Sequence, residues 1–185
     1  MTSAWLAAHW PAIAAAAGHA EHFGEVSAPA GFEYLSAADA ADVLAIAVQI
    51  VPSGTTPGAR EAHAAYFIDR ALGTFFSQWA DEFRLGLSTF QATFRGVRPA
   101  AESFAAASAD AQTAFLLSMD QTPFFELMRT LTLLGMFSSP KYAGNFERTG
   151  WTLLGFEDQH QFSPPFGYYD RDYAGFVPYR AEKGS

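Results

Sequence analysis

The stretch ADVLAIAVQIVPSGTTPGAREAHAAYFIDRAL, residues 41–72, decides the fold class of this chain. Its first half is apolar on nearly every side, which indicates a helix buried deep in a domain. Ser36 and Asp39, just upstream, have the spacing of a capping box and predict where that helix begins. Pro52 predicts where it ends, because proline breaks a helix from within. A second helix is expected to start at Thr56-Pro57, with Thr as N-cap and Pro in the first helical position.

Helical patterns continue downstream of this stretch. One predicted helix face carries large apolar residues at spacings of four, three and four: Phe83, Leu87, Phe90 and Phe94. Ser108 and the pair Thr122-Pro123 each precede a further apolar run and are typical helix starts. No stretch shows the alternation of apolar and polar residues that a strand requires. The sequence therefore predicts an all-α fold, a compact helical domain of about five helices.

The character of the sequence changes after Phe137. Pro and Gly become frequent there, and aromatic residues occur every few positions, a composition that excludes one long helix. We therefore expect an extended aromatic arm over residues 138–185. It would follow a helical core over residues 32–137 and an N-terminal Ala-rich segment and linker over residues 1–31. Together these parts are expected to form a single domain.

Aromatic residues are unusually frequent, with 18 Phe, 7 Tyr and 4 Trp, whereas only 16% of the residues are charged. Each large aromatic side chain buries roughly 150–250 Å², so we expect some of these rings to lie on the surface. Surface rings with few charges are typical of protein–protein interfaces. The interface candidates are Trp151, Phe162, Phe166, Tyr168, Tyr169 and Tyr173, with Arg171 as a charged anchor.

Charge and motifs exclude several classes of function. A net charge of −8 with only eleven scattered Lys and Arg argues against a nucleic-acid partner. The absence of Cys excludes disulfides, thiolate catalysis and iron–sulfur clusters. Neither GxGxxG nor a Walker-type loop occurs, so we expect no cofactor and no catalytic residue in this chain. No apolar run reaches the roughly 18–20 residues that a membrane span needs.

A weak metal site is conceivable at His19 and His22, which share a helix face and have Glu21 and Glu25 beside them. The simpler interpretation is a polar linker whose histidines bind nothing, so no metal ligand is assigned.

Arg129 is a lone cation in a very apolar predicted helix. One interpretation is a surface ion pair with Glu126, three residues earlier in the same helix. The other is that Arg129 belongs to an interface or to a buried pair.

Four segments occur in an order that resembles a known family. The first contains Val51-Pro52, Pro57-Gly58-Ala59, Glu61 and Phe67-Ile68-Asp69, and the second is Arg84–Leu87. The third is Phe124–Thr132 followed by Gly135–Pro140, and the fourth combines Gly144-Asn145 with Trp151 and Gly155. Over residues 38–156 the chain thereby resembles the gluconate 2-dehydrogenase subunit 3 family.

The resemblance implies an accessory role. Members of that family accompany a large flavoprotein of the glucose-methanol-choline oxidoreductase type, often with a cytochrome c subunit. The large subunit carries FAD and oxidises a hydroxyl of a sugar, glycoside or sugar acid, while the small subunit stabilises it and assists its export. One alternative is a free-standing helical sugar-binding domain, and another is an export chaperone that releases the flavoprotein after folding.

Family members usually begin with a twin-arginine export signal, which residues 1–31 do not contain. Because the first residues are similar to sequence that follows such a signal, we expect a trimmed, periplasmic protein. If the chain is complete, a cytoplasmic location is expected instead.

Overall fold

The structure is a computed structural model that describes residues 31–156, and these residues contain no β-strand. Their six α-helices are α1 (Ala37–Ile50), α2 (Ala64–Gly73), α3 (Ala80–Val97), α4 (Ala109–Met119), α5 (Pro123–Phe137) and α6 (Thr149–Leu154). Single 3₁₀ turns lie at Ser77–Trp79, Pro140–Tyr142 and Phe146–Arg148. The prediction of an all-α fold is confirmed. No helix in this part of the chain combines the length and apolar character needed to cross a lipid bilayer.

Three of the predicted helix starts are confirmed. The hydroxyl of Ser36 accepts a hydrogen bond from the Asp39 N–H at 3.1 Å and donates to the Asp39 carboxylate at 2.7 Å. Ser108 caps α4, and the Thr122 hydroxyl accepts from the Phe125 N–H at 3.3 Å at the start of α5. Pro123 occupies the first turn of α5, where a backbone N–H would have no partner within the helix, so its absence costs nothing.

The predicted helix start at Thr56-Pro57 is wrong. The chain makes turns over residues 59–63 and enters α2 only at Ala64, after His63 adopts the left-handed conformation with φ 56°. The Ala59 N–H bonds back to the Val51 carbonyl at 2.9 Å, and the Gly58 N–H donates to the Glu61 carboxylate at 2.8 Å. The N–H groups of Gly58 and Ala59 thus bond to Glu61 and to Val51 just after α1, and not to a threonine cap.

The core lies around α5, which packs most extensively against α2 and also contacts α1 and α3. The predicted apolar face of α3 is buried there. Aromatic rings meet edge to face inside it, with the Phe90 centroid 5.0 Å from Phe104 and 5.1 Å from Phe115. Seven of the fourteen Phe residues in this part of the chain are buried, and most of the others are partly buried. Phe156, 45% exposed, is an exception.

The compact unit extends further than the predicted helical core. It includes residues up to Gly155, whereas the sequence placed the boundary at residue 137. Beyond α5, two 3₁₀ turns and α6 follow, and α6 packs against α5. Buried contacts of residues 143–151 hold the first part of the expected arm on the helices. Residues 157–185, the rest of the predicted arm, lie outside the described residues.

Candidate functional site

The segment after α5 is held by Asn145, which is fully buried and adopts φ 47°. Its N–H donates to the Gly135 carbonyl at 2.6 Å, and its side-chain amide donates to the Ser138 carbonyl at 2.8 Å. Its side-chain oxygen accepts the N–H groups of Gly150 at 2.8 Å and Trp151 at 3.4 Å. Asn145 thereby connects the end of α5 to the start of α6, so its role in this structure is architectural.

Several glycines of the same region allow backbones to approach closely. A Cβ at Gly135 would lie 3.0 Å from the Ala64 Cα, at the contact between α5 and α2. A Cβ at Gly144 would overlap the Gly135 carbonyl, and one at Gly150 would overlap the Met136 carbonyl. Gly144 and Gly150 are therefore required by specific backbone contacts, and Gly135 allows α5 and α2 to pack closely.

Asp69, at the end of the Phe67-Ile68-Asp69 motif, is 2% exposed. Its carboxylate accepts the N–H groups of Glu33, Tyr34 and Leu35 at 2.8, 2.9 and 2.7 Å. A carboxylate with three short backbone bonds fixes the segment ahead of α1 onto α2. Like Asn145, this motif residue holds the fold together, and substrate chemistry is not needed to explain it.

An aromatic stack joins α2 to the segment before α6. The imidazole of His63 lies on the Phe146 ring with centroids 4.1 Å apart, and its Nδ1 is buried without a hydrogen-bond partner. Burial lowers the pKa of His63, and the nearby Glu147 carboxylate opposes this in part. Non-glycine residues with positive φ cluster here: His63, Ala143, Asn145, Glu147 and Arg148. This strained backbone is stabilised by the stack and by Asn145.

A groove of about 380 Å³ lies between the end of α1, α4 and α5, and Arg129 lines it. We call it the Arg129 groove. Arg129 is partly buried, and its Nε is buried without a hydrogen-bond partner. Within residues 31–156, ion pairs join Arg70 to Glu33 and Arg84 to Asp81, and Glu126 makes none with Arg129. The surface ion pair proposed for Arg129 from sequence is therefore not formed.

The walls of the Arg129 groove are both apolar and polar. Leu116, Leu117 and Phe125 supply apolar surface, and Leu117 is 68% exposed. A chain of hydrogen bonds fixes the polar wall: Gln49 donates to Gln112 at 2.9 Å, and the Thr113 hydroxyl donates to Gln49 at 2.9 Å. Gln112 is itself anchored to the Phe104 carbonyl. The groove thus presents a fixed surface with one cation that lacks a partner among the described residues.

The profile of the gluconate 2-dehydrogenase subunit 3 family matches residues 37–158, about two thirds of the chain. The chain belongs to the gluconate 2-dehydrogenase subunit 3 family. The resemblance noted from the sequence is thereby confirmed, and the family is one of dehydrogenase subunits. No curated protein and no solved structure matches the chain with significance.

The interface candidates of this subunit 3 family member divide into two groups. Trp151 lies in α6, partly buried, and its indole N–H donates to the Phe137 carbonyl at 2.8 Å. The others lie outside the described residues and beyond the family match: Phe162, Phe166, Tyr168, Tyr169, Arg171 and Tyr173. Their interface role stays a prediction. His19 and His22 also lie outside the described residues, and residues 31–156 contain no cluster of acidic and His side chains that could hold a metal.

Sequence reasoning singled out Arg129 but missed the groove around it. The signal available was a lone cation in an apolar helix. Residues of α1 and α4 supply much of the lining. They are distant from Arg129 in the sequence, so no local pattern could predict that they lie beside it.

Proposed function

We propose that this chain is the accessory small subunit of an FAD-dependent dehydrogenase that oxidises a hydroxyl of a sugar, glycoside or sugar acid. It would stabilise a large flavoprotein of the glucose-methanol-choline type and assist its export to the periplasm. FAD and the catalytic base belong to the large subunit, and a cytochrome c subunit is a further candidate partner.

Family membership over residues 37–158 is the observation that carries this proposal. The described surface is compatible with a partner, because large apolar side chains protrude from it. Leu153 and Leu154 at the end of α6 are 39% and 63% exposed. Exposed apolar residues that lie close together are typical of interaction sites.

The proposal is tested by co-expressing the chain with the large flavoprotein of the same organism and purifying through a tag on the chain. A stoichiometric complex with a flavin absorption band is expected. The chain purified alone should show no flavin, NAD or haem absorption. A chain that purifies without the flavoprotein, although both are expressed and soluble, would contradict the proposal.

The same experiment separates a subunit from an export chaperone. A subunit stays with the mature flavoprotein in the periplasm, whereas a chaperone is found only with the unexported form. Comparing the purified complexes from the two compartments therefore decides between the two roles.

A further inference from the structure

We infer that the Arg129 groove binds an acidic side chain of the large subunit, flanked by apolar residues of the same partner segment. This inference rests on the proposed function and names the contact through which the subunit recognises its partner. It starts from Arg129, whose Nε is buried without a hydrogen-bond partner among the described residues.

Arg129 leaves one donor unsatisfied in the isolated subunit. A guanidinium presents five N–H donors, and burying one of them without an acceptor is unfavourable. Nε of Arg129 is buried without a partner, and no ion pair of residues 31–156 includes this side chain. A methionine or leucine here would suit the apolar helix better, so the contacts among residues 31–156 do not explain the arginine.

Charge identifies the missing group. The guanidinium fork matches the two oxygens of a carboxylate and cannot lose its proton, so an acid is its most favourable partner. Asp120 also lines the groove but is exposed and forms no ion pair with Arg129 among the described residues. No acid among residues 31–156 therefore fills this role, and we assign it to the large subunit.

The walls favour a protein segment as the source of this acid. Leu116, Leu117 and Phe125 lie beside Arg129, and Leu117 is largely exposed in the isolated subunit. A partner that covers this apolar surface would also exclude water from the ion pair and strengthen it. A small hydrophilic acid would leave Leu117 exposed. The fixed Gln49 and Thr113 side chains supply polar groups at the rim.

The test is a competition between two forms of the full-length chain. The large subunit is co-expressed with wild type and with Arg129→Met, and intact-mass spectrometry gives their ratio in the purified complex and in the unbound pool. Normalised to the unbound pool, the variant should be depleted about 30-fold or more, because its partner's acid is left buried without a cation. Arg129→Lys keeps the charge but loses the fork, and about tenfold depletion is expected.

Two matched controls separate this contact from general charge effects. Arg95→Met removes the same charge from an exposed position of α3, and Asp120→Asn removes the other charge of the groove. Both should compete within about threefold of wild type, since exposed charges contribute little to affinity. The melting temperature of isolated Arg129→Met should equal or exceed that of wild type, because an unsatisfied cation is removed.

Each remaining outcome overturns the inference. If wild type co-purifies and Arg129→Met competes equally, the groove is not the contact, although the proposed function stands. If wild type itself does not co-purify with the large subunit, both the inference and the proposed function fail. If Arg129→Met does not fold, Arg129→Lys decides, and undiminished competition by it counts against the inference. Calorimetric binding of sodium gluconate that Arg129→Met abolishes would assign the groove to a small acid instead.

Discussion

At the scale of single residues, the family motifs of this subunit are explained by contacts within the fold. Asn145 joins α5 to α6 through four hydrogen bonds, and Asp69 holds three backbone N–H groups of the segment ahead of α1. Such residues tolerate little change, because each replacement would leave several buried polar groups without partners. In this chain these two motif residues therefore support the fold.

Gly150 illustrates the same point through the absence of a side chain. A Cβ there would overlap the Met136 carbonyl, so Gly150→Ala should destabilise the protein by about 1–3 kcal/mol. Gly96, in the last turns of α3, faces open space, with nothing within 4 Å of the position that a Cβ would take. Gly96→Ala should therefore stabilise by about 0.5–1 kcal/mol. Urea unfolding of both variants measures the difference. Equal stability of the two would show that α6 is not packed on α5 as described.

His63 makes the stability depend on pH. Its folded-state pKa is lowered, first by burial, while the unfolded chain binds a proton near pH 6.5. As the pH drops below about 6.5, the unfolded chain binds more protons at His63 than the folded chain does. The contribution of His63 to stability is therefore fully present above about pH 6.5 and falls as the pH drops. His63→Asn keeps a residue that tolerates positive φ but removes the titration. Its stability should decline less between pH 7 and 5.5, as measured by urea unfolding, and parallel profiles would contradict the assignment.

At the scale of elements, two Thr-Pro pairs that look alike in sequence behave differently. Thr122 caps α5, and its hydroxyl also donates to the Met119 carbonyl at 2.7 Å. Thr56 lies in an exposed loop, and the Glu61 carboxylate takes the Gly58 N–H next to it. The difference arises because α1 ends beside residues 58 and 59 and offers the Val51 carbonyl as an acceptor.

Replacing the two threonines should therefore have unequal effects. Thr122→Ala removes a cap and should lower the free energy of unfolding by about 1 kcal/mol. Thr56→Ala changes an exposed side chain and should stay within about 0.5 kcal/mol of wild type. Thermal and urea unfolding of both variants provide the measurement. A larger loss for Thr56→Ala would mean that the helix begins near Pro57 after all.

At the scale of the whole molecule, the compact unit and the predicted interface segment can be separated by a cut after Gly155. Buried contacts of α6 and Asn145 complete the compact unit, so residues 1–155 should keep their helical circular dichroism and unfold cooperatively. If the aromatic residues from Phe162 to Tyr173 contact the large subunit, the same truncation should reduce co-purification with it strongly.

A cut after Phe137 is the matched control for this experiment. It removes Asn145 and α6 as well, and we expect it to lower the melting temperature clearly, since the end of α5 then loses its buried partners. If the chain cut after Gly155 binds the flavoprotein at full strength, the aromatic segment is not the interface. The Arg129 groove, which this cut leaves intact, would then be the contact to examine first.

The sequence by itself determined the helical class, the family, three of the helix starts and the buried face of α3. These features depend on near neighbours in the chain: a cap acts on an N–H three residues away, and an apolar face repeats every three or four residues. The isolated charge of Arg129 was also visible, because it stands out against the apolar residues of its own helix.

Only the tertiary structure decided where α2 begins, where the compact unit ends and what surrounds Arg129. Each of these depends on groups that are distant in sequence. The Phe146 ring covers His63, the Met136 carbonyl excludes a side chain at Gly150, and Gln49 and Leu117 line the Arg129 groove from other helices. Local preferences differ by about 1 kcal/mol or less, so a few such buried contacts are enough to override them.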